Sequence, residues 1–370
     1  MIGTVEAKKT AAKVDESITT QMMTFNHEEV LFCNDSTTGL KAIVAIHNTV
    51  LGPGLGGCRI WKYANEQEAL NDVLRLSRGM TYKAAVAGLN LGGAKAVIIG
   101  DSKTIKTEAL MRRFGRFIDD LGGKYITAED VGSNSRDMEY IHMETRHVTG
   151  IPTYMGGSGD PSPVTAFGVW NGIKAAANER WGNDSLAGKK IGVQGIGNVG
   201  ENLVKHLSEE GAKVYITDIN QEKLKEVAAK FKAEVVDADK IFDLDMDIYA
   251  PCAMGATLNT VNIERLKCSI VAGAANNQLA EEKVHGEMLL KKGILYAPDF
   301  VINAGGLINV YSEYLGNYNR EHAISQAEKI YSTIKEIFRI SSVEKIPTYL
   351  AANRLAERRI EAIGKIQMNH

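Results

Sequence analysis

The sequence predicts an α/β protein of two domains, the second of which contains a parallel, doubly wound sheet. The chain has 370 residues, more than a single hydrophobic core usually organises. From residue 190 onward, strand-like segments alternate with helix-like ones, an order typical of a parallel sheet covered by helices. A glycine-rich turn follows the first of these strands. Because residues 150–163 are rich in glycine, serine and proline, we place the domains at residues 1–150 and 151–339.

The first half mixes short strands with helices. Alternating or apolar runs predict strands, apolar residues at helical spacing predict helices, and glycine-rich breaks separate them. The predicted strands are 40–47 and 94–99, and the predicted helices are 66–78 and 107–120. This order predicts an α/β first domain.

The second half is more regular. Its predicted strands are 190–194, 213–217, 245–250, 269–272 and 293–297, and helices are predicted over 164–179, 321–338 and 350–363. Their alternation predicts the doubly wound sheet. The last helix could pack on either domain, and the sequence alone leaves both alternatives open.

Composition excludes several classes of function. The net charge of -2 and the ordinary 24% of charged residues provide no basic field for nucleic acid or a membrane surface. Four scattered cysteines without a CxxC pair favour reduced thiols and a cytoplasmic protein. Residues 1–20 lack the apolar core of a signal peptide and are expected to form a mobile extension. The eight histidines show no metal-binding spacing, so no metal site is expected.

Two lysines, Lys83 and Lys95, lie in nearly uncharged stretches of small and apolar residues. Burial of an ammonium group is costly, so such a lysine must be paired or have a lowered pKa. A lowered pKa suits a base or an electrophile near neutral pH. The alternative is a lysine at a strand edge that extends its ammonium into solvent.

A dinucleotide-binding pattern begins at residue 191. A short apolar strand leads into a Gly-x-Gly-x-x-Gly turn, a helix pattern follows, and the next strand ends at Asp218. This order favours NAD over NADP, because the carboxylate would bind a ribose 2′-hydroxyl and repel a 2′-phosphate. The alternative is a glycine-rich turn that binds no nucleotide. The predicted cofactor-binding residues of the turn are Gly195, Ile196, Gly197, Asn198, Val199 and Gly200.

Later strands are expected to end in further loops of this site. Asn276 and Asn277 follow one predicted strand, and the run Asn303-Ala304-Gly305-Gly306 follows another. Ligands bind outside the carboxyl ends of strands in open parallel sheets, so the two asparagines could meet a nicotinamide carboxamide. Capping of the loop by their own side chains is the alternative.

Six motifs together resemble the glutamate/leucine/phenylalanine/valine dehydrogenase superfamily, and most closely its leucine-oxidising members. The likeness runs from about residue 27 to residue 359, nearly the whole chain. The motifs are Leu51-Gly-Pro-Gly-Leu-Gly-Gly57, Arg78-Gly-Met-Thr-Tyr-Lys83, Leu89-Asn-Leu-Gly-Gly-Ala-Lys95, Ile126-Thr-Ala-Glu-Asp-Val-Gly132, Asn276-Asn-Gln278 and Phe300-Val-Ile-Asn-Ala-Gly-Gly306.

The resemblance implies NAD-dependent oxidative deamination of L-leucine and other branched-chain amino acids to 2-oxo acids and ammonia. It makes Lys95 the catalytic lysine, Asp130 the acid that assists proton transfer, and Lys83 the residue that holds the substrate carboxylate. It also implies a catalytic and oligomerisation domain before the NAD domain, a C-terminal helix over 340–370 that returns to the first domain, and a homo-oligomer, with octamers common. The implied substrate pocket is Leu55, Gly56, Ala128, Leu307 and Val310.

Two departures keep alternatives open. Ala94 stands where related sequences usually have glycine, and it would strain the chain if its φ were positive. Leu307 stands where leucine-oxidising members often have valine, which makes a phenylalanine or other aromatic amino acid dehydrogenase the nearest rival. A catalytically silent NAD-binding protein is the third alternative. A glutamate-selective pocket would need a cation, whereas the implied pocket residues are uncharged.

Overall fold

The structure, a computed structural model, describes residues 17–253 and 255–367. The mobile extension was predicted over residues 1–20, and its residues 1–16 lie outside the described residues. Residues 18–20 belong to helix α1 (Ile18–Phe25). Ser17 caps this helix, since its Oγ accepts the backbone N–H of Thr20. In the part of the chain described here, no helix is both long and apolar enough to cross a membrane.

The first domain contains a five-stranded mixed sheet. Its order is β1-β2-β4-β3-β5, with β1 and β4 antiparallel to β2, and β3 parallel to both β4 and β5. Helix α2 covers one face of β2 and β4, and α3 and α4 pack together on the opposite face. The elements are β1 (Glu29–Asp35), β2 (Leu40–Asn48), β3 (Gly54–Trp61), α2 (Glu66–Val86), β4 (Gly92–Ile99), α3 (Glu108–Asp119), β5 (Tyr125–Glu129) and α4 (Ser135–His142).

The second domain contains a six-stranded sheet with every pair parallel. Its order, β8-β7-β6-β9-β10-β11, is that of a doubly wound dinucleotide-binding sheet. The elements are α5 (Ser162–Trp181), β6 (Lys190–Gln194), α6 (Asn198–Glu209), β7 (Lys213–Thr217), α7 (Gln221–Phe231), β8 (Glu234–Val235), β9 (Ile248–Pro251), α8 (Thr260–Arg265), β10 (Ile270–Val271), α9 (Glu282–Lys291) and β11 (Leu295–Tyr296). The predicted fold class, two α/β domains with a Rossmann-type second sheet, is confirmed.

Five helices complete the chain: α10 (Asp299–Ile302), α11 (Gly305–Tyr314), α12 (Arg320–Glu328), α13 (Ile330–Glu344) and α14 (Thr348–Gln367). Helix α13 packs against α5 and runs through position 340. Helix α14 packs against α2 of the first domain, where Glu357 accepts the Tyr82 hydroxyl at 2.9 Å and Arg359 donates to the carbonyl oxygen of Leu89 at 2.6 Å. The last helix therefore packs on both alternatives left open by the sequence, α2 of the first domain and α13 and α9 of the second half.

Helix α2 is longer than predicted. It continues past Arg78 to Val86 and therefore carries Lys83 in its last turn. Gly79 interrupts the sequence pattern but not the helix, because Thr81, Ala84 and Ala85 are buried and their packing outweighs the low helix propensity of one glycine.

Three other expectations differ from the structure. Strands β1, β3 and β5 and helix α4 of the first domain were not predicted, and in β3 three glycines break the apolar alternation. The single helix expected over 321–338 is two helices that meet at Lys329. The run from Asn303 to Gly306 does not form a loop at a strand end, since it joins α10 to α11.

Candidate functional site

Lys95 and Asp130 form a close ion pair in the first domain. Lys95 projects from the middle of β4, and Asp130 directly follows β5. The Lys95 Nζ lies 2.7 Å from Asp130 Oδ2, and the lysine side chain is only 7% exposed. Gly57 of β3 makes room for this pair, because a Cβ there would lie 2.7 Å from the Asp130 Cβ. A shielded lysine–carboxylate pair of this kind can transfer protons.

Arg59 of β3 also contacts Asp130, and sequence reasoning missed it. Its Nε donates to Asp130 Oδ2 at 3.2 Å, and its Nη1 donates to Asp72 Oδ2 at 2.8 Å. Burial alone would raise the pKa of Asp130, but the charges of Lys95 and Arg59 lower it to about 2. One signal was present in the sequence, since Arg59 interrupts the apolar run Cys58-Arg59-Ile60.

Lys83 faces the second domain. Its Nζ lies 3.5 Å from the Oδ1 of Asn276, a residue of the loop after β10. Part of the residue's surface stays open to the cleft, but protein from both domains surrounds the ammonium group. This desolvation lowers the pKa of Lys83 to about 8, against the opposing effect of the Asp299 carboxylate. A substrate carboxylate next to Lys83 would raise the pKa of this lysine again, because an opposite charge favours the protonated amine.

Three further residues organise the loop opposite Lys83. Asn303 donates through Nδ2 to Asn276 Oδ1 at 2.7 Å, and its own Oδ1 is buried without a hydrogen-bond partner among the described residues. Asp299 accepts the backbone N–H of Gln278 at 2.8 Å, and burial raises the pKa of its carboxyl group. The free Asn303 oxygen is a ready acceptor for a bound amine or amide.

Leu55, Leu307 and Val310, three of the predicted pocket residues, are apolar and buried. Leu55 of β3 and the α11 residues Leu307 and Val310 belong to one buried cluster that spans the two domains. Ile126 of β5 belongs to the same cluster and was not predicted as a pocket residue. Ala128 is 6% exposed and pairs in register with Gly57.

Two small residues, Gly56 and Ala94, lie on the adjacent strands β3 and β4. Gly56 is buried, its carbonyl oxygen accepts the Tyr125 hydroxyl at 2.8 Å, and a Cβ there would collide with Ala94 O. Ala94 is an ordinary strand residue without a positive φ. The strain that alanine in place of glycine could have caused next to Lys95 is therefore absent.

The glycine-rich turn lies at the carboxyl end of β6. Gly195 has φ +95°, and a Cβ on Gly200 would lie 2.0 Å from Gly195 O, so the turn and the close approach of α6 both require glycine. Within residues 17–253 and 255–367, a Cβ on Gly197 would meet nothing within 4 Å, so these residues leave space at the start of α6. Asn198 and Val199 form its first turn, and no side chain caps their N–H groups. Free N–H groups beside open space fit a pyrophosphate.

Asp218 lies at the end of β7, next to this turn. Its Oδ2 accepts the Ile196 N–H at 2.7 Å, and its Oδ1 accepts the Asn220 N–H at 2.8 Å. Each carboxylate oxygen retains capacity for a further hydrogen bond. The arrangement fits a ribose hydroxyl and disfavours an added phosphate.

Adjacent loops connect the glycine turn to Lys83. A Cβ on Gly195 would meet Ala253 at 2.5 Å, and one on Gly255 would meet Asn276 O at 2.3 Å. Asn277 has φ +51°, and its carbonyl oxygen accepts the Ala256 N–H at 2.6 Å. The strand-end loops therefore form one continuous edge from the glycine turn to Lys83.

Comparison with known proteins identifies the family. Residues 21–147 match the model "Glu/Leu/Phe/Val dehydrogenase, dimerisation domain", and residues 156–220 and 215–365 match "Glutamate/Leucine/Phenylalanine/Valine dehydrogenase". Leucine dehydrogenase of Thermoactinomyces intermedius is 58% identical over 93% of both chains. Phenylalanine dehydrogenase of Bacillus thermotolerans is 46% identical over 97% of this chain and 94% of its own.

A solved structure agrees with these matches. The crystal structure of L-tryptophan dehydrogenase from Nostoc punctiforme superposes with a TM-score of 0.83 at 48% identity, covering 94% of this chain and 99% of that one. Both domain models match consecutive parts of the chain, and the relatives span nearly its whole length. The chain therefore belongs to the glutamate/leucine/phenylalanine/valine dehydrogenase family of amino acid dehydrogenases.

Proposed function

We propose that this chain catalyses the NAD-dependent, reversible oxidative deamination of L-leucine and other branched-chain L-amino acids. One arrangement carries the proposal: the buried Lys95–Asp130 pair together with Lys83, which contacts Asn276 of the second domain. We assign Leu55, Leu307 and Val310, which belong to one buried apolar cluster, to the wall of the substrate pocket. The lysines suit an amino acid's α-carboxylate and its reacting centre, and the wall suits an aliphatic side chain. The 58% identity to a leucine dehydrogenase supports the same substrate class.

Each residue has a proposed part in the reaction. Lys83 pairs with the substrate carboxylate and orients Cα, which is catalysis by positioning. NAD⁺ held along the strand-end loops would supply the acceptor for the Cα hydride, and the substrate amine, once it has lost its ammonium proton, would become an imine. Lys95, once it has given up its ammonium proton, removes a proton from the water that adds to the imine carbon. Asp130 passes protons as the C–N bond breaks, which yields the 2-oxo acid and ammonia.

The cofactor assignment depends on the second domain. The glycine turn from Gly195 to Gly200 would hold the pyrophosphate, and Asp218 would hold the adenosine ribose. Asn276 and Asn277 would lie near the nicotinamide at the other end of the same edge. The unpartnered Asn303 oxygen next to Asn276 supports this placement.

An aromatic substrate is the second candidate. It is favoured by Leu307 in the wall and by the similarity to proteins named phenylalanine and L-tryptophan dehydrogenase. One methylene in an apolar pocket changes specificity by about 1–3 kcal/mol, so leucine, isoleucine and valine should all react with modest preferences.

We also propose a cytoplasmic homo-oligomer, with an octamer as the expected form. The matched description "dimerisation domain" covers residues 21–147. Strand β1 supports self-association, because it is an edge strand with 44% of Phe32 exposed. Cys33, Cys58, Cys252 and Cys268 are free thiols, as a reducing compartment would maintain.

The test is the formation of NADH by the purified protein with leucine, isoleucine, valine, phenylalanine, tryptophan and glutamate, each with NAD⁺ and NADP⁺. A profile led by leucine with NAD⁺ supports the proposal, and one led by an aromatic amino acid selects the second candidate. Lys95→Ala is the control for a contaminating dehydrogenase. Tight NADH binding without turnover of any amino acid would reject both candidates.

A further inference from the structure

Asp130 is held by two cations that contact the same carboxylate oxygen. Lys95 Nζ lies 2.7 Å from Oδ2 and Arg59 Nε lies 3.2 Å from it. The proposed reaction employs Lys95 in proton transfer, but it gives Arg59 no part. An arginine with only 21% of its side chain exposed, in contact with a proposed catalytic carboxylate, requires an explanation.

Arg59 is itself anchored to helix α2. Its Nη1 donates to Asp72 Oδ2 at 2.8 Å, and the same oxygen accepts the Tyr63 hydroxyl at 2.8 Å. Asp72 also binds Arg75 Nη2 through its other oxygen at 2.9 Å. The Arg59 guanidinium therefore bridges α2 and the loop that follows β5. Because α2 also carries Lys83, one helix supports both proposed substrate-facing groups of the first domain.

We propose that Arg59, held in place by Asp72, is a positioning residue that fixes the Asp130 carboxylate against Lys95 and keeps it ionised. The inference rests on the proposed roles of Asp130 and Lys95. A planar guanidinium suits this part, because it directs N–H groups at two carboxylates in fixed directions. A lysine would supply the charge without the rigid bridge.

The surroundings of Asp130 leave few other groups to replace Arg59. Lys83 of α2 interacts with Asp130 electrostatically but forms no ion pair with it. Asp72 affects Asp130 through its ion pair with Arg59. The remaining neighbours are neutral, because burial raises the pKa of Cys58, Tyr63 and Tyr125. Loss of Arg59 would leave Lys95 as the single cation in direct contact, and the pKa of Asp130 would rise.

The experiment compares Arg59→Met, Arg59→Lys and Asp72→Asn with Arg112→Met. Arg112 is a matched control, since it also bridges two carboxylates in the first domain, those of Glu108 and Glu144. For each variant, kcat, the KM for leucine, the Kd for NADH and the pH dependence of kcat are measured. Circular dichroism shows whether the variant is folded.

Arg59→Met should lower kcat about thirtyfold, less than the roughly 10²–10⁴-fold that a proton-transfer group itself contributes, because Asp130 and Lys95 are still present. Its KM and NADH Kd should change less than about threefold, because Lys83 and the glycine turn are untouched. The pKa of Asp130 should rise, since its carboxyl group loses one of two contacting cations, so any fall in kcat caused by its protonation should begin at a higher pH than in the wild type. The kcat values of Arg59→Lys and Asp72→Asn should lie between those of Arg59→Met and the wild type. Added guanidinium should partly restore the kcat of Arg59→Met.

A folded Arg59→Met with the kcat and pH profile of the wild type would overturn the inference. If that variant does not fold, Arg59→Lys and Asp72→Asn give the same test, and wild-type profiles in both would overturn it. Failure of the proposed function can be distinguished from failure of this inference, because in that case the wild type itself would oxidise none of the amino acids.

Discussion

The Lys95–Asp130 cluster of the first domain and the glycine turn of the second are built in different ways. The cluster depends on charged side chains from separate elements, with Arg59 on β3, Asp72 on α2 and Lys95 on β4. The turn depends on backbone groups of one continuous strand–turn–helix between residues 190 and 209. The first region is therefore sensitive to charge and pH, whereas the second is sensitive to the volume of a single Cβ.

The largest effect is expected where the first domain receives the substrate carboxylate. Lys83→Met should lower kcat/KM for leucine by about two to three orders of magnitude, because the carboxylate would lose its partner in a partly desolvated cleft. Binding of NADH should remain unchanged in fluorescence titrations. Lys62→Met, which changes an exposed lysine, is the control. Wild-type KM in Lys83→Met would remove Lys83 from the substrate site.

The second domain should respond to one added methyl group. Gly197→Ala places a Cβ in open space, so the free energy of unfolding should hardly change. The Kd for NADH should nevertheless rise about thirtyfold, since the methyl group occupies the space proposed for the pyrophosphate. Gly79→Ala, at an equally open helix position of the first domain, should leave the Kd unaltered. Equal Kd values for the two variants would contradict the proposed pyrophosphate site.

A smaller effect is expected at Asp218. Asp218→Ala should raise the ratio of kcat/KM with NADP⁺ to that with NAD⁺ about tenfold, because a negative charge near the 2′-phosphate is removed. Its loss also removes the acceptor of the Ile196 N–H, so Asp218→Asn, which keeps an oxygen acceptor, is the matched variant. An unchanged ratio in both variants would show that Asp218 does not face the ribose.

The difference in pH sensitivity can be tested on two histidines beneath α2. His27 binds Ser77 Oγ at 2.8 Å, His47 binds Thr81 Oγ1 at 2.8 Å, and the ring centroids lie 4.8 Å apart. Burial lowers the pKa of each histidine to about 4. Well above pH 6.5 both are neutral in the folded and unfolded states, so they make stability depend on pH only as the pH falls through the unfolded-state pKa of 6.5 and below.

As the pH falls from about 6.5 to 4, these histidines bind protons in the unfolded chain but not in the folded chain. The free energy of unfolding therefore decreases. Each histidine can contribute a slope of about 1.4 kcal/mol per pH unit. Urea unfolding between these pH values should show a shallower slope for the double variant His27→Gln/His47→Gln than for the wild type. His322→Gln, at an exposed site, should keep the wild-type slope. Identical slopes for all three would contradict this account.

The same contrast explains how much of the molecule could be predicted from sequence. The glycine turn and Asp218 lie in one short stretch with a characteristic spacing, so the second sheet and its expected cofactor edge followed from local patterns. Lys95 was recognisable because it interrupts an apolar strand. The family resemblance then supplied Asp130 and the pocket residues.

Long-range contacts could not be predicted in this way. Arg59 meets Asp72 and Asp130 at separations of 13 and 71 residues, and no local period encodes such contacts. Strand β3 was hidden because glycines replace the apolar residues of its alternation. The place of Asn303 between two helices depends on how α10 and α11 pack, which the apparent strand-end pattern did not reveal.

The central claim is that proton-transfer chemistry belongs to the first domain and nucleotide binding to the second. Lys95→Ala tests it most directly, with turnover of leucine and the Kd for NADH measured on the same folded preparation. The account predicts that turnover falls by about three orders of magnitude or more while the Kd stays within about twofold. A loss of NADH affinity as large as the loss of turnover would contradict it.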